Sequence, residues 1–151
     1  MRLIGVIGAA DVSESQAQTA FAVGKEVARA GFGLVCGGLG GVMEWACKGA
    51  KEAGGVTVGI LPSGRRSDAN PYVDIAIVTA MGHARNVIIV QSAQVVIALP
   101  GGAGTLSEIA LAMKVGTPVV ALGDWEFIEG IERARTPEEA VKKAKKLAGK
   151  G

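Results

Sequence analysis

The sequence predicts an α/β protein built on a mainly parallel sheet. Hydrophobic residues make up 49% of the 151-residue chain and aromatics only 4%. The interior must therefore be filled by Val, Ile, Leu and Ala, the composition of strands buried on both faces. Apolar runs of strand length alternate with stretches of helical periodicity. The 23 glycines gather where apolar runs end, positions at which turns and ligands need a residue without a side chain. A chain of this length is expected to form one domain, residues 1–151.

The first strand, about residues 2–8, ends in Gly8-Ala9-Ala10, whose small side chains leave room above the strand tip. Its apolar run is short and meets Asp11-Val12-Ser13-Glu14, so it reads as a strand and not an export signal. Ser13 and Gln16 form an S-x-x-Q capping box that opens a helix running to Ala30 and stopping at Gly31. Residues 32–36 are a short, apolar second strand. Gly37-Gly38-Leu39-Gly40-Gly41 follows and leads into a helix that starts at Val42 and closes at Gly54-Gly55. This turn departs from the dinucleotide fingerprint. G-x-G-x-x-G read from Gly38 requires glycine where Met43 stands, and the second strand ends in Cys36, where an acidic residue would be expected. No G-K-[ST] follows any glycine turn, so a Walker A loop is absent.

The third strand, residues 56–61, leads into residues 62–71, the longest and most polar loop. It is either a solvated crossover or a ligand-covering loop, in which Arg65 and Arg66 would be the contacts. Residues 73–79 form a fourth strand. Residues 87–90 have β composition taken alone. Consecutive parallel strands, however, need a crossover of about a dozen residues, usually helical. Residues 83–94 are therefore expected to be helix, with Arg85 in the first turn. A cation there faces the positive end of the helix dipole, a cost of about a few tenths of a kcal/mol that a nearby negative group would offset. His83, lacking a metal partner, reads as a cap or structural contact.

Val95-Val96-Ile97-Ala98-Leu99 has the length and branching of a buried strand, and Leu106, Ile109, Ala110 and Met113 repeat like one face of a helix. Between them lies Pro100-Gly101-Gly102-Ala103-Gly104-Thr105, a strand-to-helix turn whose glycines and free helix amides suit a phosphate. A sixth strand spans 117–123, and a seventh near Ile131 is weakly signalled. Thr136-Pro137-Glu138-Glu139 then opens a last helix with a cap, proline at N1 and glutamate at N3. Ala140, Val141, Ala144 and Leu147 line its buried face, and Lys142, Lys143, Lys145 and Lys146 are solvated charges.

The net charge is +2, from 16 basic and 14 acidic residues, so no global field argues for a nucleic-acid or membrane partner. No apolar stretch reaches the roughly 20 residues needed to span a bilayer. Cys36 and Cys47 sit in apolar surroundings, and no ligand spacing joins them to the single histidine. A reduced cytoplasmic setting is expected, with no metal and no resident cofactor. Pyridoxal chemistry is disfavoured because no lysine stands at a strand tip.

Pro100 to Glu108 contains P-G-G-x-G-T-x-x-E without a gap, residues 36–44 read C-G-G-x-x-G-V-M-E, and residues 81–86 read M-G-x-A-R-N. Together these resemble the LOG-type family, cytokinin riboside 5′-monophosphate phosphoribohydrolases long labelled lysine decarboxylases. The likeness is closest to a short prokaryotic subgroup related to molybdenum cofactor carrier proteins. The resemblance implies a Rossmann-like three-layer fold with sheet order near 3-2-1-4-5-6 and a homodimer or higher homo-oligomer. It also implies a nucleoside monophosphate or phosphorylated cofactor at the strand tips, held by Gly8, Ala9, Gly37, Gly38, Gly41, Met43, Gly101, Gly102, Ala103, Gly104 and Thr105. Arg85 and Glu108 stand at the family's catalytic positions. Asn86 replaces a family lysine, Glu44 a glycine, and Cys36 the first glycine of the upstream motif.

The expected activity is hydrolysis of the N-glycosidic bond of a purine nucleoside 5′-monophosphate, giving the base and ribose 5-phosphate. Such cleavage develops positive charge on the sugar, which a carboxylate such as Glu108 would stabilise. Thr105-Leu106-Ser107-Glu108 is also a T-x-x-E capping box. Glycosidases usually pair two carboxylates, and Asp11, Glu44 and Asp68 are the candidates for the second. The alternative is a non-catalytic carrier or sensor that holds a nucleotide or molybdenum-cofactor pterin in the same cradle. Whether Glu108 faces the ligand or caps its helix separates the two.

Overall fold

The computed structural model describes residues 1–149. Seven parallel strands, β1 (Leu3–Ile7), β2 (Gly33–Cys36), β3 (Thr57–Leu61), β4 (Ile75–Val78), β5 (Val95–Ala98), β6 (Val119–Leu122) and β7 (Glu132–Ala134), form one sheet in the order β4-β3-β2-β1-β5-β6-β7. The helices are α1 (Glu14–Arg29), α2 (Val42–Glu52), α3 (Asn86–Ser92), α4 (Ala103–Val115) and α5 (Pro137–Ala148). The fold is the Rossmann-like α/β architecture, with one correction to the order 3-2-1-4-5-6. The fourth strand pairs with β3 at the sheet edge, not with β1. Its link to β3 holds only a 3-10 turn, Arg66–Asp68. The edge strand is fastened to β3 just before and just after its ladder, where Asp74 N–H donates to Thr57 O and Thr79 Oγ1 to Leu61 O. With this edge strand set aside, the remaining six follow the expected order.

Alternation along the buried strands serves both helix layers. Ile4, Val6, Val95, Ile97, Leu99, Val120 and Leu122 pack beneath α1, α2 and α5. Ile7, Val35, Val96, Ala98, Val119 and Ala121 pack beneath α3 and α4. Two mid-helix glycines let α1 and α2 approach backbone to backbone: a Cβ at Gly24 would run into Ala46 O, and one at Gly49 into Phe21 O. Among the described residues no helix is long and apolar enough to cross a membrane.

Helix starts follow the sequence closely. Ser13 and Gln16 close the capping box on α1, and Thr136 Oγ1 accepts from Glu139 N–H with Pro137 at the start of α5. Residues 87–90 are helical, as the crossover requires, although a 3-10 turn over Gly82–Arg85 precedes α3 and leaves Arg85 just outside it. The expected inner face of α4 is corrected. Thr105, Ile109 and Ala112 are buried, whereas Leu106 and Met113 are 40% and 42% exposed. Thr105 tucks under Gly101 and sets the phase of the helix. Leu147 of α5, expected inside, also stays partly exposed.

Candidate functional site

β1 and β5 run in register from Ile4 opposite Val95 to Ile7 opposite Ala98, so their tips end together. Chain winding reverses between these two strands, and such a switch point opens a crevice beyond the strand ends. Ala9 N–H donates to Pro100 O at 3.1 Å and Val42 N–H to Ala9 O at 2.9 Å, tying both glycine turns to the tip of β1. A cavity of about 320 Å³ lies between them.

The structure brings Gly8, Ala9, Gly37, Met43, Arg85, Gly102, Gly104, Thr105 and Glu108 to the wall of this cavity. Gly38, Gly41, Gly101 and Ala103 do not line it. Gly38 and Gly41 have φ of +78° and +65°, and a Cβ at Gly41 would meet the carbonyl oxygens of Ala9 and Ala10. At Gly101 a Cβ would collide with Thr105 Oγ1. These three glycines shape the cradle from behind. Ala103 is the exposed first residue of α4.

Gly102 is the N-cap of α4 and supplies no side-chain cap. The first intrahelical bond runs from Leu106 N–H to Gly102 O, so the amides of Ala103, Gly104 and Thr105 precede the helical ladder. Such amides, with the helix dipole behind them, favour an anion. Because the cap is Gly102 and Thr105 is buried inside the helix, the T-x-x-E capping box does not form. Glu108 faces the cavity instead. Burial pushes its carboxyl up from an ordinary 4.5 to about 7, against the opposing pull of Arg85.

Arg85 is buried, and its guanidinium is held at three points. Nε donates to Ile60 O at 2.8 Å, Nη2 to Gly37 O at 3.5 Å, and Nη1 to Asn86 Oδ1. Burial lowers its pKa and the charge of Glu108 raises it. These carbonyls and that carboxyl supply the negative surroundings that a cation beside a helix start calls for. A side chain at Gly37 would come within 2.6 Å of Arg85 Nη2, so the upstream motif needs glycine there to admit the arginine.

His83, expected to be structural, lines the cavity, as do Ala10, Leu39 and Asn86. The M-G-x-A-R-N run held the signal for Asn86; His83 fills its unspecified position, and nothing local marked Leu39. Arg65 and Arg66 are exposed and away from the cavity wall, so residues 62–71 do not cover the site. Asp11, Glu44 and Asp68 are absent from the wall as well, which leaves Glu108 its one carboxylate among the described residues. Among the described residues no three His, Cys, Asp or Glu side chains gather to hold a metal.

A model of the SLOG cluster4 family matches residues 1–148. An uncharacterized protein of Archaeoglobus fulgidus is 52% identical over 139 residues, covering 91% of each chain. Among solved structures, the molybdenum cofactor binding protein of Rippkaea orientalis is 40% identical with a TM-score of 0.91, covering 97% of this chain and 96% of its own. The molybdenum cofactor carrier protein of Chlamydomonas reinhardtii is 40% identical with a TM-score of 0.89, covering 99% of this chain and 100% of its own.

Proposed function

The chain belongs to the SLOG cluster4 family, and from that premise we propose that it is a non-catalytic carrier of a phosphorylated pterin of the molybdenum cofactor class. The phosphate sits on the amides of Ala103, Gly104 and Thr105, and the cargo fills the cavity toward Arg85. One observation carries this reading: among the described residues the wall offers a single carboxylate, Glu108, beside a single buried guanidinium. Glycosidic cleavage usually calls on two carboxylates, whereas binding needs only an anion cradle and a sheltered wall. Gly8, Gly37 and Gly102 let backbone groups reach the cargo, and Ile7, Leu39 and Met43 give an apolar surface for a flat ring. The two solved relatives at 40% identity are a molybdenum cofactor binding protein and a molybdenum cofactor carrier protein, which supports the same assignment. Purified protein mixed with molybdenum cofactor and passed through gel filtration is expected to retain molybdenum and pterin fluorescence. Absence of both from the protein fraction would refute the proposal.

A second reading, hydrolysis of a purine nucleoside 5′-monophosphate, is favoured by Glu108 itself, a carboxyl that does not cap its helix and titrates near neutrality. It requires release of free base from AMP or an N6-substituted analogue, lost in Glu108→Gln. Binding without release leaves the carrier.

The same proposal extends to assembly. The outward side of α4 presents Leu106 and Met113, with Val115 at its end and the exposed Phe127 in a nearby loop. An outward helix face carrying exposed apolar side chains is available for association, and we assign it to a second copy of the chain.

A further inference from the structure

Cys36 ends β2 and Cys47 lies on α2; both are free and fully buried, with their sulfurs 3.5 Å apart. We infer that these two thiols form a reversible redox pair, closed to an intramolecular disulfide by a small peroxide, and that closure deforms the cradle. The pair is asymmetric. The hydrogen bond from Cys47 and then the Gly38 N–H, which reaches Cys36 Sγ at 3.4 Å, hold the Cys36 thiol below its usual range against the cost of burial. Cys36 is the nucleophilic member and Cys47 the resolving one. Both sulfurs are closed to solvent, and Gly37, the residue next to Cys36, lines the cavity.

The electrons balance without a bound cofactor. The Cys36 thiolate attacks one oxygen of hydrogen peroxide; the S–O bond forms as the O–O bond breaks, and hydroxide leaves and is protonated to water. Cys47 sulfur then attacks the Cys36 sulfenic acid. The S–S bond forms, the S–O bond breaks, and the Cys47 proton departs with the hydroxyl as a second water. Two thiols are oxidised and one peroxide is reduced.

Closure draws the sulfurs together by about 1.5 Å, from contact to the disulfide bond length. Cys47 sits on a helix locked to α1 through Gly24 and Gly49, whereas Cys36 is the last residue of β2, where the ladder gives way to the glycine turn, so the adjustment falls on Cys36. It carries Gly37 and Gly38 with it, gives up the Gly38 N–H bond, and withdraws Gly37 O from Arg85 Nη2. The expected result is several-fold weaker binding of a phosphorylated ligand, a part of the inference that rests on the proposed function.

The test treats the intact protein with hydrogen peroxide, unfolds it in an alkylating agent and measures its mass, with AMP affinity and hydrogen exchange at residues 37–41 recorded in parallel. The expected product has lost two hydrogen masses, takes up no alkyl group, gives a linked peptide pair containing Cys36 and Cys47, and recovers both thiols with dithiothreitol. Exchange at 37–41 rises on oxidation. Cys47→Ala, checked for native circular dichroism, should form no disulfide, and its exchange at 37–41 should lack the oxidation response. Two alkylated thiols after oxidation, or a sulfinic acid at Cys36 with Cys47 free, would overturn the pair. Unchanged exchange and affinity in the disulfide form would overturn the coupling. Failure of the reduced protein to bind AMP or molybdenum cofactor would count against the cavity assignment alone.

Discussion

Replacing Glu108 by Gln should stabilise the protein above neutral pH. The carboxyl has a folded-state pKa of about 7 against an ordinary 4.5, because burial penalises its charged form more than Arg85 favours it. A raised folded pKa means that the native state holds the proton more tightly than the unfolded chain. The associated stability is fully present below pH 4.5 and is lost as pH rises to about 7. At about 1.36 kcal/mol per pH unit this amounts to about 3 kcal/mol. Glutamine keeps the shape and cannot ionise. Urea melts of both proteins at pH 4.5 and pH 8 are the assay. The wild type should lose stability between the two conditions relative to Glu108→Gln, and the variant should be the more stable at pH 8. Parallel behaviour of the two proteins across this range would refute the burial argument and the placement of Glu108 in the cavity.

Gly49→Val should cost about 1–3 kcal/mol or more, read by urea denaturation, because the new side chain meets the Phe21 carbonyl where α1 and α2 touch. Gly101→Ala should abolish binding of the phosphorylated ligand, measured by calorimetry, with little change in circular dichroism, because its Cβ displaces Thr105 at the start of α4. Asn86→Ala should weaken the same binding about tenfold, the 1.4 kcal/mol typical of one hydrogen bond, since it removes an acceptor from Arg85. Met113→Glu should shift the protein toward monomer in light scattering, because it places a charge in the exposed apolar side of α4.

The strands and helix starts were legible because each has a local cause. Ser13 with Gln16 and Thr136 with Pro137 satisfy helix amides from within a few residues, and the branched runs of β5 and β6 match burial on both faces. Residues 87–90 needed a topological argument, since their composition alone points to a strand. The phase of α4 was not legible. Leu106 and Met113 are apolar like Ile109 and Ala112, so periodicity cannot say which apolar stripe faces inward, and the decision falls to the tertiary contact between Thr105 and Gly101. The place of β4 was hidden for a related reason: Ile75 to Val78 could pair with any strand edge, and their ladder with β3 is closed at both ends by bonds from Asp74 and Thr79 that local sequence does not announce. At the site, Arg85 and Glu108 were marked by their motifs, while Leu39 reaches the cavity only through the path of the Gly37 to Gly41 turn. Gly24 and Gly49 sit far from any strand end, so an expectation that glycines serve turns and ligands does not find them.

Those two helical glycines set a condition on the opposite end of α2. The helix has no slack against α1, and at its first turn Val42 packs against Gly8, where a Cβ would come within 2.6 Å of it, and donates to Ala9 O. One flank of the cavity is thus fixed when the chain folds, and its ordering entropy is lost then instead of at ligand capture. A substitution at Gly24 or Gly49 touches no ligand, yet it would relax this flank and transfer part of the ordering cost to binding. Affinity and fold stability would then decline together, from a contact buried between two helices.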